Sequence, residues 1–277
     1  MKFQLGCELA YEVQIPTVFI MSLEAARIAS HAGFHEALAL DPDLPRKTYT
    51  RPETGNRTFS FVAPEGRLSL SYQASVDLQV VREDPAGIAE IPVGELPLEI
   101  VHYLFPSRYS PSDRLANFAA REFGYMPQGH GRVTAICNWI YENLAYQPGS
   151  SVAETSAVDT LLARAGVCRD FAHLGVAFCR ALGIPARFVS CYAHGLEPAD
   201  FHAVFEAWLG GHWWLFDATR QASLDGLVRI GVGRDAADVS FSTIYGQVKP
   251  AGMIIWINPA EGEIPPAERT TEAVRTG

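Results

Sequence analysis

Residues 166–183 read GVCRDFAHLGVAFCRALG, and this stretch decides how the second half of the chain is interpreted. Phe171, Leu174 and Phe178 recur at helical spacing, which predicts an amphipathic helix. A glycine at the end of the stretch, with a proline two residues later, is a typical helix stop signal. The predicted helix therefore begins at or near Cys168 and carries a cysteine in its first turn.

A cysteine in the first turn of a helix lies in a distinctive electrostatic environment. The backbone N–H groups there lack partners within the helix, and the helix dipole adds partial positive charge. A thiol at such a site ionises more easily, and the thiolate is the nucleophilic form. Because cysteine is also among the residue types most often buried, the position of Cys168 alone leaves a structural role open. Cys179, in the middle of the helix, is interpreted as a core residue.

A partner base for this cysteine is expected on two strands further along the chain. Residues 201–209 and 212–219 are strand-like, and the Gly-Gly pair between them is a strong signal for a two-residue hairpin loop. Residues directly opposite each other share a face of the sheet, and so do residues two apart on one strand. His202 and Asp217 are therefore diagonal neighbours on one face, roughly 7–8 Å apart at the backbone and within reach of a hydrogen bond.

An aspartate beside a histidine orients the imidazole, fixes its tautomer and stabilises the imidazolium. His202 or Asp217 alone would more often be structural, but together, downstream of a cysteine at a helix start, they predict a Cys-His-Asp site. Two other histidines are rival bases. His173 lies five residues after Cys168 on the same helix and points roughly 140° away around the axis. His194 lies in a polar loop with no obvious orienting partner.

The overall composition excludes some classes of function. The chain has 277 residues, a formal net charge of −9 and a pI near 5.4, which argues against a generic nucleic-acid or anionic-membrane binder. Its apolar runs are too short to cross a bilayer, and its N-terminus lacks the apolar core of a secretory signal. We therefore expect a cytoplasmic location, with no nucleic-acid and no membrane partner.

The five cysteines predict no disulfide framework. They are odd in number and widely spaced, and no CxxC pair occurs, so reduced thiols are expected. A zinc site built from Cys168, Cys191 and a histidine is an alternative, but the sequence shows no metal-ligand spacing. No ligand-rich calcium loop is recognised either. We expect neither a metal nor another cofactor.

The two halves of the chain differ in their hydrophobic period. The first hundred residues alternate between apolar and polar residues, which predicts a mostly antiparallel β-sandwich domain over residues 1–100. Residues 22–38 could hold a short helix. From about residue 110 helical patterns come first and strand-like segments follow, which predicts an α+β domain over residues 105–277. The strand-like runs of the first half lie at 3–13, 47–50, 57–63 and 68–81.

The segment GVCRDFAHLGVAFCRALGIPARFVSCY, followed by FHAVFEAW and LFDAT, closely resembles the transglutaminase-like superfamily. The resemblance covers residues 130–220 and points to a bacterial branch of cysteine-protease-like members that carry an N-terminal β domain. It implies a papain-like α+β core, with Cys168 as nucleophile, His202 as general base and acid, and Asp217 as orienting carboxylate.

The reaction implied by this resemblance is thiol-dependent acyl transfer through a thioester. Hydrolysis of a peptide or amide bond, as in a cysteine peptidase or amidase, is the preferred interpretation. Transamidation of protein glutamine is the alternative, because the same triad serves both outcomes, and a binding module without activity is the second alternative. The expected partner is a peptide or protein substrate, and the oligomeric state is left open.

Three further residues are candidate substrate-binding residues. Tyr146, in the AYQPG loop, is a candidate second donor to the oxyanion, and packing at a helix end is the alternative. Trp208 and Trp213 share the His202 face of the predicted hairpin, so either could line the active-site cleft, although packing of the sheet is the more ordinary role. The segment IGVGRDAADV, residues 230–239, matches a downstream loop of the family and receives no role.

Overall fold

The computed structural model describes residues 1–262 and 272–276, and within them the fold is α+β. The strands are β1 (Lys2–Val13), β2 (Thr17–Met21), β3 (His31–Asp41), β4 (Lys47–Thr50), β5 (Arg57–Ala63), β6 (Gly66–Leu78), β7 (Val81–Glu83), β8 (Ala145–Tyr146), β9 (Ala165–Gly166), β10 (Ala186–Ala193), β11 (Phe201–Leu209), β12 (His212–Phe216), β13 (Leu227–Gly233), β14 (Ser242–Tyr245), β15 (Val248–Pro259) and β16 (Ala273–Arg275). The α-helices are α1 (Leu98–Val101), α2 (Ala116–Phe123), α3 (His130–Asn143), α4 (Ala157–Ala163) and α5 (Cys168–Ala181).

Two four-stranded antiparallel sheets form the β-rich part, in the orders β15-β1-β6-β3 and β14-β2-β5-β4. Their inner faces share one apolar core, to which β1 contributes Phe3 and Leu5 and β5 contributes Phe59 and Phe61. The alternation that predicted β1 therefore reflects one buried and one more exposed face. The expected β-sandwich is confirmed.

The prediction of a short helix within residues 22–38 is wrong. Strand β3 occupies the second part of this segment and pairs with β6 along most of its length. Its side chains alternate between partly buried and exposed, which is the pattern of a strand with one covered face. The preceding residues are held by other means, since the Ala26 N–H donates to the Arg229 carbonyl (2.8 Å). Long-range pairing has overridden local helix propensity here.

The C-terminal strands return to the sheets of the first half. β15 pairs with β1, and β14 pairs with β2. The division into residues 1–100 and 105–277 stays a prediction, but the hydrogen bonding of β14 and β15 does not follow it. These strands complete the two sheets because β1 and β2 would otherwise each expose an unpaired edge.

The second half is built around one helix and one sheet. The sheet has the antiparallel order β12-β11-β10-β13, and α5 packs across β10 and β11. The approach is close at Gly175, where an added methyl group would lie 2.4 Å from the Phe205 ring. Helices α2, α3 and α4 surround α5 and bury its apolar face. The sheet therefore lies directly against the helix that carries Cys168.

The two halves share apolar core as well as strands. Tyr192, Val228 and Ile230, from the second sheet, belong to the same buried cluster as Phe3 and Leu5 of β1. The Tyr192 hydroxyl also donates to the Leu23 carbonyl (2.8 Å). Among the described residues, no helix has the length and apolar character needed to span a membrane.

Candidate active site

The start of helix α5 fixes the position of Cys168. The Asp170 carboxylate is fully buried and accepts the Val167 N–H at 2.9 Å, which caps the first turn. Gly166 lies against the same carboxylate, and a methyl group there would be 2.8 Å from the Asp170 Cβ. Cys168 is the first residue of the helix, as predicted, and its thiol is free and partly exposed.

The hairpin that carries His202 has the predicted register. Leu209 faces His212 across the Gly-Gly turn, and Phe205 faces Phe216. Strand β12 ends at Phe216, so Asp217 lies one residue beyond the strand rather than within it. Nε2 of His202 and Oδ2 of Asp217 are 2.9 Å apart, and both side chains are buried. The predicted contact between imidazole and carboxylate is present.

The remaining oxygen of Asp217 is held by Thr219. Oδ1 accepts the Thr219 N–H at 2.8 Å and the Thr219 hydroxyl at 2.7 Å. Burial disfavours the charged form of the carboxylate, but the His202 ring and these hydrogen bonds outweigh burial and lower the pKa of Asp217. Asp217 is therefore a fixed anion, and its geometry is set on both oxygens.

The second ring nitrogen of His202 is left for Cys168. Nδ1 is buried and has no hydrogen-bond partner within the described part of the chain. Burial lowers the pKa of His202, but the Asp217 carboxylate and the neighbouring Cys168 sulfur outweigh burial and raise this pKa to about 10. The imidazolium is thus stabilised between an anion on one side and a sulfur on the other. The structure brings Cys168, His202 and Asp217 together in this order.

Comparison with known proteins identifies the family. The family model of the transglutaminase-like superfamily matches residues 118–218. The family model of the bacterial transglutaminase N-terminal domain matches residues 1–99. The crystal structure of a candidate cysteine protease from Cytophaga hutchinsonii is 40% identical, covers 100% of this chain and 98% of its own, and superimposes with a TM-score of 0.95. The chain belongs to the transglutaminase-like superfamily.

Two mycobacterial relatives cover smaller parts of the chain. An uncharacterized protein from Mycobacterium leprae is 28% identical over 193 residues, which are 66% of this chain and 69% of the relative. An uncharacterized protein from Mycobacterium tuberculosis is 29% identical over 234 residues, 73% of each chain. These relatives extend the family resemblance without adding an activity.

Tyr146 lies beside the cysteine of this transglutaminase-like site. The short parallel pair β8–β9 sets Tyr146 opposite Gly166, two residues before Cys168. Burial raises the pKa of Tyr146 to about 12, and the adjacent Cys168 sulfur contributes to the increase. The tyrosine hydroxyl is thus a neighbour of Cys168. The assignment of Tyr146 as a second oxyanion donor stays a prediction.

Trp208 and Trp213 do not line the cleft that contains Cys168 and His202. Their interpretation as substrate-binding residues is therefore wrong. They face each other across the hairpin with ring centroids 5.2 Å apart. Trp213 packs edge-on against Tyr103 and under the guanidinium of Arg187. Trp208 lies six residues after His202 on one strand, which separates the two by roughly 20 Å. Both tryptophans therefore pack the far end of the hairpin.

Cys168 and His202 open into a cleft of about 870 Å³. The residues lining it come from the start of α5, from the neighbouring ends of β10 and β11, from strand β14 and from two loops. The principal lining residues are Arg108, Tyr109, Phe188, Ser190, Asp200, Phe201, Ala236, Val239, Phe241, Thr243 and Tyr245. The cleft lies where the second sheet meets the sandwich, and β14 is the strand of the sandwich that lines it.

Ala236 and Ala237, from the segment that received no role in the sequence analysis, line part of the cleft. Buried Asp235 accepts the Tyr109 N–H at 2.8 Å and the Ala237 N–H at 2.9 Å, which ties two loops of the cleft together. The Ala236 N–H donates to Nε2 of His173 at 3.1 Å. An aspartate followed by alanines is a weak turn signal, and nothing in the sequence shows which distant N–H it will accept.

The rival histidines have structural positions. His173 is fully buried, stacks on Tyr109 and supports the loop at Ala236. His194 contacts the Ile257 carbonyl through Nδ1 (3.3 Å) and packs near Phe3, on the sandwich side. Neither residue lines the cleft with Cys168. His202 is thus the histidine that shares the cleft with Cys168 and also bonds a carboxylate.

Proposed function

We propose that the protein is a cysteine peptidase or amidase that cleaves peptide or amide bonds through a Cys168 thioester. The observation that carries the proposal is the 2.9 Å bond between His202 Nε2 and Asp217, which leaves Nδ1 for the thiol at the helix start. The Cytophaga hutchinsonii relative, described as a candidate cysteine protease, supports the same class.

The first half of the proposed reaction forms the thioester. The Cys168 thiolate, paired with the imidazolium of His202, attacks the carbonyl carbon. Backbone N–H groups at the start of α5 and the Tyr146 hydroxyl stabilise the resulting oxyanion. The imidazolium then protonates the leaving nitrogen, the C–N bond breaks, and an amine departs.

Water completes the proposed reaction. His202 takes a proton from a water molecule, the hydroxide attacks the thioester carbonyl, and the sulfur leaves as the Cys168 thiol after reprotonation. Asp217 keeps its charge throughout and stabilises the imidazolium at each step. The partly exposed thiol and the open cleft give water access to the acyl group.

The test is turnover of a mixed library of fluorogenic peptides and isopeptides by the wild type and by Cys168→Ala. We expect cleavage by the wild type and its loss in the variant. The same library offered with a labelled primary amine separates hydrolysis from transamidation. Amine incorporation that outpaces hydrolysis would replace the proposal with a transglutaminase, and absence of both would remove the enzymatic function.

Localisation is a separate proposal. We propose that the protein acts in the cytoplasm, in line with its five free thiols and the absence of a disulfide pattern. Fractionation of cells that express the full chain tests this directly. Recovery in the periplasmic or secreted fraction would contradict it.

A further inference from the structure

Strand β14 is the part of the β-sandwich that enters the active-site cleft. It lies at one edge of the sheet ordered β14-β2-β5-β4, and β2 is its partner within the described residues. Its four residues line the same cleft as Cys168 and His202. The edge of a sheet thus lies beside the candidate nucleophile.

The hydrogen bonding shows which backbone groups of β14 point away from β2. The Ser22 N–H donates to the Phe241 carbonyl at 3.0 Å, so residue 241 faces the partner strand. In an antiparallel ladder, successive residues direct their backbone groups to opposite sides. Thr243 therefore faces β2 and is bonded to it, whereas Ser242 and Ile244 direct their N–H and C=O groups outward.

Most of these outward groups have no partner within residues 1–262 and 272–276. The Ser242 carbonyl accepts the Ser240 hydroxyl at 2.8 Å, and a carbonyl oxygen can accept a second bond. The Ser242 N–H and both backbone groups of Ile244 have no protein partner there. An unpaired strand edge is a template for another strand.

The side chains of β14 indicate what kind of strand fits. Tyr245 is 63% exposed, and Phe241, directly before β14, is 38% exposed. Both are odd-numbered, as is Thr243, so the three share one face of the strand and line the cleft. Phe241 also contacts Phe201, next to His202, with ring centroids 5.2 Å apart. The exposed aromatic row is therefore continuous with the catalytic centre.

We propose that the substrate of this site is an extended peptide segment that pairs with the outer edge of β14 and sets alternate apolar side chains against Phe241 and Tyr245. This inference rests on the proposed function and adds to it the conformation and the side-chain chemistry of the substrate. At roughly 3.3 Å per residue, β14 spans about four residues of such a peptide. Backbone pairing supplies affinity, and the aromatic row supplies preference.

The test uses acetyl-Ala-Phe-Ala-Gly chloromethyl ketone, whose chloride is displaced by the Cys168 thiolate to leave a thioether. The same peptide with each internal amide N-methylated cannot donate those hydrogen bonds. Rates of Cys168 modification, read by mass spectrometry, are divided by the rate with iodoacetamide, which needs no peptide pairing. We expect the wild type to react at least about tenfold faster with the parent peptide than with the methylated one.

Two substitutions separate edge pairing from general loss of structure. Ser242→Pro removes an outward N–H and keeps the bonds to β2, and it should bring the two peptide rates to near equality. Thr48→Pro is the matched control. Thr48 lies on β4, the opposite edge of the same sheet. The Arg51 N–H donates to the Asn56 carbonyl, so Arg51 faces β5 and Thr48, three residues earlier, directs its N–H away from β5. This control should retain the wild-type ratio.

A further variant leaves the backbone of β14 intact. Tyr245→Ala should lower the normalised rate with the parent peptide about threefold or more, because it removes exposed aromatic surface that the peptide would cover. Circular dichroism checks that each variant is folded. An unchanged ratio in Ser242→Pro, or equal rates for the two peptides in the wild type, would overturn the inference.

Three outcomes show which part of the proposal fails. A dimer, seen by light scattering in the wild type and lost in Ser242→Pro, would assign the edge to a second copy of this chain. Failure of iodoacetamide to modify Cys168 would contradict the proposed function, and with it the pairing. Selective modification by iodoacetamide with no effect of N-methylation would overturn the pairing alone.

Discussion

Asp217 controls the charge of His202, the residue proposed to activate Cys168. Its carboxylate is fixed by Thr219 and directed at Nε2 of His202, and this contact contributes most to keeping the imidazole protonated. Such an arrangement extends the pH range over which an imidazolium can stand beside a thiolate. The carboxylate therefore acts on the sulfur through the histidine, without touching it.

Asp217→Asn should narrow the pH range of activity from the alkaline side. The pKa of His202 is raised to about 10, so the imidazolium persists until the pH rises through that value. Without the carboxylate the pKa of His202 falls, and the alkaline limb of the pH profile of the proposed peptidase activity should move down by about one unit or more. Asp225→Asn is the control, since that buried aspartate pairs with Arg82. An unshifted limb in Asp217→Asn would contradict the assigned role.

Tyr146→Phe should lower the rate of thioester formation about 100- to 1,000-fold with little change in KM, the effect expected for one lost oxyanion donor. The ring and its contact with Phe171 are retained, so the fold is not altered. Tyr125→Phe, at a tyrosine 79% exposed, provides the matched control. Equal loss of activity in both variants, or no loss in Tyr146→Phe, would contradict the role of the hydroxyl as a donor and assign Tyr146 to packing.

At the residue scale, the sequence reveals what depends on short-range geometry. Cys168, His202 and Asp217 are predictable because a helix start, a two-residue turn and the two-residue period of a strand fix their relative positions. The error over Trp208 and Trp213 arises because sharing a face does not mean sharing a location along the strand. The bond from Asp235 to the Tyr109 N–H joins distant loops and has no local signal.

At the scale of single elements, helix α5 decides the geometry of the site. One end is capped by Asp170, and the middle lies directly on β11 at Gly175. The helix and the hairpin were predictable from periodicity and turn chemistry. Strand β3 was not, because HEALAL carries helix formers that only pairing with β6 holds in a strand.

Gly175→Ala should destabilise the protein by about 1–3 kcal/mol, because the added methyl group overlaps the Phe205 ring. The helix shifts away from the sheet, so the rate of Cys168 alkylation should fall as well. Gly131→Ala is the matched helical control, with no atom within 4 Å of the new methyl group, and it should be neutral or stabilising by up to about 1 kcal/mol. Urea unfolding measures the free energy of unfolding of both variants. Equal stability of the two variants would contradict the close packing at Gly175.

At the scale of the whole molecule, the cleft exists because the chain returns to its beginning. Strand β14 pairs with β2 and also lines the cleft, and the core of the sandwich includes Tyr192 of the second sheet. Family resemblance and local pattern both suggest two successive units. Pairing across more than 200 residues, as between β1 and β15, leaves no trace in local periodicity, so the sequence could not predict it.

The shared strands and core predict that the two halves unfold together. Hydrogen exchange across a urea series, followed by mass spectrometry, should give the same midpoint for peptides from β1 and from β10. Each half would lose strand partners or core contacts if the other opened first. Earlier opening of the β1 peptide would show instead that the sandwich is an independent unit.

The central claim is that Cys168 is an activated nucleophile, and competitive alkylation tests it most directly. The other four thiols are buried, and burial raises the pKa of Cys7 to about 11. With limiting iodoacetamide near pH 6, Cys168 should react at least about tenfold faster than any of them and faster than glutathione, because the imidazolium beside it stabilises the thiolate. A Cys168 that reacts no faster than glutathione in the folded protein would contradict the account.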